Sequence, residues 1–366
     1  MKSFSKRASL VALSSVLALT GCAFAGDNNK KPATQAKAKK VVKPVQGDEF
    51  ANFNQWSDVA AFIDQMAEKN GFDKKELQAT LNKTHFVDSA IQLMKPAPPG
   101  KPKNWAAYRS RFVEPVRIDA GVAFWNTYAD ALARAEAQYG VPAEIIVAIV
   151  GVETVYGRNT GNFRVMDAIT TLAFAYPDTP NRTARMNYFR GELENTLLFA
   201  RDERIDPFSL LGSYAGAIGW PQFMPGSIRK FAVDFDGNGH IDLRNSPVDA
   251  IGSVASFLVQ HGWRKGEPIT YPARIDTTST EWQRFIGQGL EAKFSLEELR
   301  AAGVTPVIDP PVGMPFGLVD LQNGEDPTEY WLGAANFYAI TQYNRSFFYA
   351  MSVNDLSRAM RTARNY

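Results

Sequence analysis

Between Val141 and Gly157 the chain reads Val-Pro-Ala-Glu-Ile-Ile-Val-Ala-Ile-Val-Gly-Val-Glu-Thr-Val-Tyr-Gly, and this segment constrains the fold more than any other. Pro142 suits the first turn of a helix, where a missing N–H costs nothing. Glu144 sits near the positive end of the helix dipole, and Gly157 reads as a C-terminal stop. Ile145, Ile149 and Val152 fall on one face at helical spacing, so the segment is expected to turn an apolar stripe into a core. Glu153, four residues after Ile149, shares that stripe. A carboxylate there loses its water, its charged form is disfavoured and its pKa rises, which is the setting of a general acid. The same segment also allows a structural ion pair with Arg158 or Arg164.

The rest of the chain bounds the choice. Its 366 residues, 45% of them hydrophobic, are ample for a large core and two or three subdomains. Aromatic content is 12%, which suits carbohydrate grooves and cores alike. A net charge of +2 argues against a dedicated nucleic-acid binder. No Walker loop, dinucleotide fingerprint or zinc spacing is present, so no organic cofactor is expected.

The N-terminus reads as a targeting segment. Lys2, Lys6 and Arg7 precede a short apolar stretch, Leu10 to Leu19, and then Leu19-Thr20-Gly21-Cys22. This resembles a bacterial lipobox, with cleavage before Cys22 and a lipid on that residue, the only cysteine of the chain. Ala23 after it favours, by analogy with lipoprotein sorting, the periplasmic face of the outer membrane. Residues 22–47 are rich in Lys, Ala, Pro and Gln, cannot bury enough surface to fold, and read as a flexible tether.

The folded part is expected to be mainly α, of the α+β kind. Residues 48–115 read as an N-terminal helical domain, with Phe62, Met66 and Gly71-Phe72 marking one helix and its end, and Leu77 and Leu81 another. A Pro/Gly-rich connector runs from Pro96 to Pro102. Residues 115–140 continue as helix into a mainly helical core at 116–263, with further helices around Val165–Ala175, Tyr188–Arg201 and Asp249–Gln260. Residues 264–330 change character and are expected to form a small β-containing domain with one helix near Ser295–Ala302. Residues 331–366 return to helix, over 331–340 and 350–363.

Three more segments carry chemistry. Gly212-Ser-Tyr-Ala-Gly-Ala-Ile-Gly-Trp-Pro-Gln-Phe-Met-Pro-Gly-Ser227 combines glycines that allow close backbone approach, neutral hydrogen-bonding groups at Ser213 and Gln222, and apolar faces at Tyr214, Trp220 and Phe223. The mixture suits a neutral polar ligand such as a sugar, or a glycine-rich turn packed under a helix. Asp234-Phe-Asp-Gly-Asn-Gly-His-Ile-Asp242 places Asp234, Asp236 and Asn238 at positions 1, 3 and 5 of an EF-hand-type loop, Gly239 at its sharp turn and the His240 carbonyl at position 7. Position 12 is Asn245 rather than Glu, and Asp249 is placed to close a longer loop. The alternative is an Asx turn with solvated acids. Asn336-Phe-Tyr-Ala-Ile-Thr-Gln-Tyr-Asn344 offers Asn336, Tyr343 and Asn344 in an aromatic setting that core tyrosines would equally explain.

Taken in order, Gly151-Val-Glu-Thr154 with Tyr156-Gly157, Ser213-Tyr-Ala-Gly-Ala-Ile-Gly with Gln222-Phe-Met-Pro225, the Asp234 loop with Asp249-Ala-Ile-Gly-Ser-Val254, and Asn336-Phe with Tyr343-Asn344 resemble the lytic murein transglycosylases of the B type, from about Phe53 to the C-terminus. The resemblance implies a lysozyme-like core, an α domain, a small β domain and an EF-hand-like site for Ca²⁺ or Na⁺ held by Asp234, Asp236, Asn238, His240 and Asp249. Two departures are Gly226, where a small hydroxyl residue is expected, and Asn238 in place of the more usual Asp. By resemblance Glu153 is the single catalytic acid/base. Ser213 and Gln222, with Tyr156, Tyr214 and Phe223, and then Asn336, Tyr343 and Asn344, line the glycan groove. The implied reaction cleaves the MurNAc–GlcNAc bond of peptidoglycan without water and leaves 1,6-anhydroMurNAc ends. Asp167, on the next helix, is expected to serve as a cap or ion pair. The implied partners are glycan strands and the membrane, with no nucleic acid, and the implied state is a monomer, alone or within a cell-wall enzyme complex.

Overall fold

The computed structural model describes residues 57–96, 100 and 102–365. The leader, the tether and Cys22 lie outside the described residues, as does much of the 96–102 connector. The first helices form where their apolar spacing directs. α1 (Ser57–Asn70) buries Val59, Phe62, Ile63 and Met66 on one face and stops at Gly71, whose φ of 68° suits glycine. α2 (Lys74–Leu81) starts at Asp73, whose side chain accepts the N–H groups of Lys75 and Glu76, and buries Leu77 and Leu81. α3 (Asp88–Met94) and the short α4 (Trp105–Arg109) come next, α4 capped by the Asn104 side chain.

The helix expected over 115–140 is two helices. α5 (Pro115–Thr127) and α6 (Ala129–Tyr139) part at Tyr128, which leaves helical dihedrals (φ −111°, ψ 27°) and lays its ring 4.8 Å from that of Phe124. No proline or glycine marks the break, so the local sequence does not signal it.

α7 (Ala143–Thr154) differs from the stripe reading in a way that matters. Every residue from Ile145 to Val152 is buried, with Ala143 and Thr154, because α5, α6, the later α11 (Pro247–Gln260) and the C-terminal α14 (Phe347–Arg364) pack around it. It is the central helix of the core rather than an amphipathic one. Each buried Ile or Val contributes roughly 1.5–3 kcal/mol, so the segment has no stable place except the interior.

A two-residue strand, β1 (Phe163–Arg164), pairs antiparallel with β2 (Leu211–Gly212). Between them run α8 (Val165–Ala175), buried from Val165 to Phe174, and the 21-residue α9 (Arg182–Asp202). α10 (Pro225–Phe231) was not expected. Its Pro225-Gly226 start reads as a turn, but proline fits a first helical turn, and Glu192 accepts the Gly226 N–H at 2.7 Å.

The β-rich segment forms an antiparallel sheet in the order β4-β3-β6-β5 from β3 (Thr270–Ile275), β4 (Val304–Pro306), β5 (Gly317–Asn323) and β6 (Asp326–Gly333). α12 (Leu296–Ala301), with a full capping box between Ser295 and Glu298, packs beside it. One sheet face closes a small core around Phe316, Leu318 and Leu332, while Val319 and Leu321 of the same strand β5 join the main core. The two-residue period of a strand puts alternate side chains into two different cores. β6 reaches Gly333, so the helix expected from 331 begins only at α13 (Ala335–Thr341). Leu332 faces the small core and pairs with Tyr271 and Leu318, which holds the segment in the sheet.

Candidate active site

Glu153 stands at the C-terminal end of α7, and the backbone immediately after the helix is strained. Val155 and Tyr156 both have positive φ, 51° and 56°, a region that a β-branched residue rarely enters; such strain collects at functional sites. Local contacts hold it. The Thr154 hydroxyl donates to the Trp220 carbonyl (3.0 Å) and accepts the Gly157 N–H (3.0 Å). A Cβ on Gly157 would come within 2.7 Å of the Trp220 ring, so the glycine is required for close approach as well as for its φ of 79°. Tyr156 folds back over Gly121 and Gly151 and donates its hydroxyl to Met360 Sδ at 3.1 Å.

Three tyrosines from distant segments converge on Glu153. Tyr349, in the first turn of α14, donates its hydroxyl to Glu153 Oε1 at 2.6 Å. Tyr343 stacks on Tyr349, ring centroids 6.3 Å apart and 16° from parallel, and donates to the Pro221 carbonyl at 2.9 Å. Tyr108, on α4, feels its own burial and then the Glu153 charge, and its pKa is pushed up to about 12. Burial raises the Glu153 carboxyl to about 7, with the Tyr349 hydrogen bond pulling the other way. Tyr343 and Tyr349 are held neutral, first by burial and then by Glu153 itself.

The ion-pair alternative fails on geometry. Among the described residues no arginine or lysine lies within ion-pair distance of Glu153. Arg164 is committed to Asp167 by two bonds of 2.7 Å, and Asp167 also accepts the His85 N–H at 2.9 Å. Asp167 is therefore the structural pair that its position suggested.

The glycine-rich segment lies beside this cluster. The Ser213 hydroxyl oxygen accepts the N–H groups of Ala215 and Ala217, closing a turn and leaving its proton to donate. Gln222, at φ 50°, donates its amide to the carbonyls of Thr160 (3.1 Å) and Gly219 (2.9 Å). Tyr214 is half-buried near Tyr176 and Arg185. Asn344 is half-buried at the turn before α14, its carbonyl accepting the Ser346 N–H. Three expected groove residues prove to be interior. Tyr156 is spent on Met360, Phe223 packs against Phe257 and Tyr343, and Asn336, wholly buried, clasps Arg264 N (2.7 Å), Arg264 O (2.9 Å) and Glu267 O (2.8 Å). Burial of all three, with the polar groups of Tyr156 and Asn336 already bonded within the protein, makes them packing and clasp residues in this structure.

The Asp234 loop is built from carboxylates that gather backbone N–H groups. Asp234 accepts from Gly239, Gly237 and Asn238, a set that holds its pKa below the usual range. Asp249, wholly buried in the first turn of α11, accepts from Phe235, Asp236 and Asp242. Ser246 caps α11 and donates to Asp236 Oδ2 at 2.7 Å. Oxygens of Asp234, Asp236 and Asp249 lie within 4.8 Å of one another, and the Asn238 amide oxygen accepts the His240 N–H at 2.9 Å. The His240 ring stands 3.5 Å from Glu203, which leaves only its backbone carbonyl for the loop. A set of hard oxygen donors at this spacing fits a cation of the Ca²⁺ kind. The loop is tied to the active-site side, because Trp220 donates its N–H to Leu243 O and its Nε1–H to Arg244 O, both at 2.9 Å.

Residues 52–358 match the transglycosylase SLT domain. The chain belongs to the transglycosylase SLT family. Among relatives, it is 44% identical to membrane-bound lytic murein transglycosylase B of Escherichia coli over 87% of this chain and 86% of that protein. It is 45% identical to the soluble lytic transglycosylase SltB1 of Pseudomonas aeruginosa, with a TM-score of 0.76 over 84% of this chain and 100% of that one. Slt35 of Escherichia coli, in a structure with calcium, matches at 44% identity and a TM-score of 0.74, covering 85% and 94%. The fold of this SLT-family chain is accordingly the mainly α, lysozyme-like one of those enzymes.

Two residues beside Glu153 in this SLT-family chain were missed in the sequence. Tyr349 lies 196 positions from Glu153 and Tyr108 sits on a five-residue helix; neither belongs to a motif. The one available signal was chemical: a carboxylate without a cationic partner needs neutral hydrogen-bond donors, and tyrosine is such a donor on an apolar body.

Proposed function

We propose that this chain is a lytic transglycosylase that cleaves the β-1,4 bond between MurNAc and GlcNAc in peptidoglycan, with Glu153 as the only acid/base. The observation that carries the reading is the state of Glu153. It sits at the end of the core helix with its pKa raised to about 7, so at neutral pH it is both an available acid and, once ionised, an available base. Protonated Glu153 donates to the glycosidic oxygen, and positive charge develops at C1 of MurNAc, eased by the sugar's own N-acetyl group. The carboxylate then takes the proton of the C6 hydroxyl, whose oxygen attacks C1 and closes the 1,6-anhydro ring. The proton count returns to its start and no water enters. A two-carboxylate hydrolase places a second acid about 5–10 Å away. Among the described residues, the groups whose titration Glu153 raises include Tyr108, Tyr343 and Tyr349, and these are phenols rather than a second carboxylate. The Tyr349 bond keeps Glu153 oriented, and Ser213 and Gln222, with Tyr214, Tyr343 and Asn344, remain the candidates for glycan contact.

The test is mass spectrometry of muropeptides released from purified sacculi. Wild type is expected to release anhydro products and Glu153→Gln none; hydrated reducing ends from wild type would overturn the reading. Asp234, Asp236, Asn238, the His240 carbonyl and Asp249 would hold Ca²⁺ or Na⁺, which when bound cross-links the loop and plays no part in proton transfer. The calcium-containing Slt35 structure and the oxygen spacing support this. The reading extends to a lipid on Cys22 that anchors the enzyme to the periplasmic face of the outer membrane, supported by the lipobox and by the relative's membrane-bound name.

A further inference from the structure

The face of the small sheet changes character along its strands. Leu318 pairs with Leu332 and both belong to the small core, but the next same-face pair is Asp320 with Tyr330, and beyond it lie Gln322 and Thr328. The 3-10 turn at Glu281–Phe285 overhangs this end and brings Trp282 and Gln283 to the opposite wall. The result is an open cleft of about 380 Å³, within the range of roughly 300–1,000 Å³ usual for small-ligand sites. Trp282 is fixed there. Its Nε1–H is held by the Ser279 carbonyl at 2.9 Å, and its ring meets Tyr330 edge to face at 5.3 Å. The one charged group of the lining, Asp320, accepts the Gln322 amide at 3.0 Å.

From this we infer a second glycan-binding site, on the sheet and separate from the Glu153 cluster, that takes one N-acetylhexosamine unit of a strand. A pyranose has an apolar C–H face and a rim of hydroxyl and amide groups. A held tryptophan matches the first, and the amides of Gln283 and Gln322, the Thr328 hydroxyl and the Asp320 carboxylate match the second. The inference rests on the peptidoglycan reading above. A weak sugar site on the same body as the cleaving site raises hold on a polymer through effective concentration, while adding nothing for a fragment too short to reach both.

The experiment measures co-sedimentation of the full chain carrying Glu153→Gln with sacculi stripped of their stem peptides. Binding is then read without turnover, and a failure of the catalytic reading shows separately, as product release by Glu153→Gln. Adding Trp282→Ala is expected to weaken binding roughly fivefold or more, the scale of one aromatic contact, with Trp282→Phe retaining most of it. Gln322→Ala, on the exposed rim, keeps the test open if Trp282→Ala does not fold, and is expected to weaken binding as well. With Glu153 intact, Trp282→Ala and Gln322→Ala are expected to cut sacculi more slowly and short soluble glycan fragments at the parental rate. Unchanged binding in the folded variants, or a loss seen only with peptide-bearing sacculi, would overturn the proposal.

Discussion

Two opposing effects set the acidity of Glu153, whose pKa is raised to about 7. Burial raises the carboxyl and the Tyr349 hydroxyl, donating to the ionised form, lowers it. Removing the donor with Tyr349→Phe should therefore raise the pKa by about one unit, the value of one charge-assisted hydrogen bond. The alkaline limb of the kcat/KM profile is expected to move up by the same amount, and an unmoved limb would show that Tyr349 does not hold the carboxylate. The same burial costs stability. With a folded pKa of about 7 against about 4.3 unfolded, the native state binds more protons between these values, so its stability falls as pH rises through that window. Glu153→Gln removes the cost. It is expected to match wild type in thermal melting near pH 4 and to exceed it by roughly 3–4 kcal/mol at pH 8. A gap independent of pH would contradict the assignment. The raised pKa was legible from Glu153's place beside Ile145 and Ile149; its tyrosine partners were not, since sequence distance carries no sign of a contact made by tertiary packing.

At the scale of elements, the joint between α7 and the glycine-rich segment organises the site. Thr154 bonds Trp220, the Trp220 ring lies on Gly157, and Trp220 in turn bonds the end of the Asp234 loop. The glycines were readable as points of close approach, but what approaches is protein. A Cβ on Gly219 would fall within 2.1 Å of Leu243 O, so the segment is both a turn packed under neighbours and a border of the site. The loop itself is a candidate for stabilisation by cation. Adding Ca²⁺ is expected to raise the melting temperature, by about 2.7 kcal/mol of stability at a hundredfold excess over Kd, and Asp234→Ala should abolish the shift. An equal shift in both proteins would place the cation elsewhere. The start of α13 was misread because packing overrode the local pattern, with Leu332 held in the sheet by Tyr271 and Leu318; the split at Tyr128 carries no local sequence signal.

At the scale of the whole molecule, two cores share one strand, and the Glu153 cluster draws on α4, α7, the turn after α13 and α14. No single described helix is long and apolar enough to cross a membrane; the proposed attachment is the lipid on Cys22. Cys22→Ala is expected to move the protein from the membrane fraction to the soluble periplasmic fraction; retention in the membrane would place the anchor elsewhere. Sequence alone determined the mainly α class, the apolar helix that ends in Glu153, the oxygen-rich loop at Asp234 and the order of motifs, because helical periodicity, turn chemistry and residue spacing are local properties. Only the tertiary structure decided which side chains face Glu153, that Asn336, Phe223 and Tyr156 serve the interior, and that a polar-aromatic cleft opens on the sheet. Each of these depends on which distant surfaces pack together, and packing is settled by the total burial of the folded chain rather than by any short stretch of it.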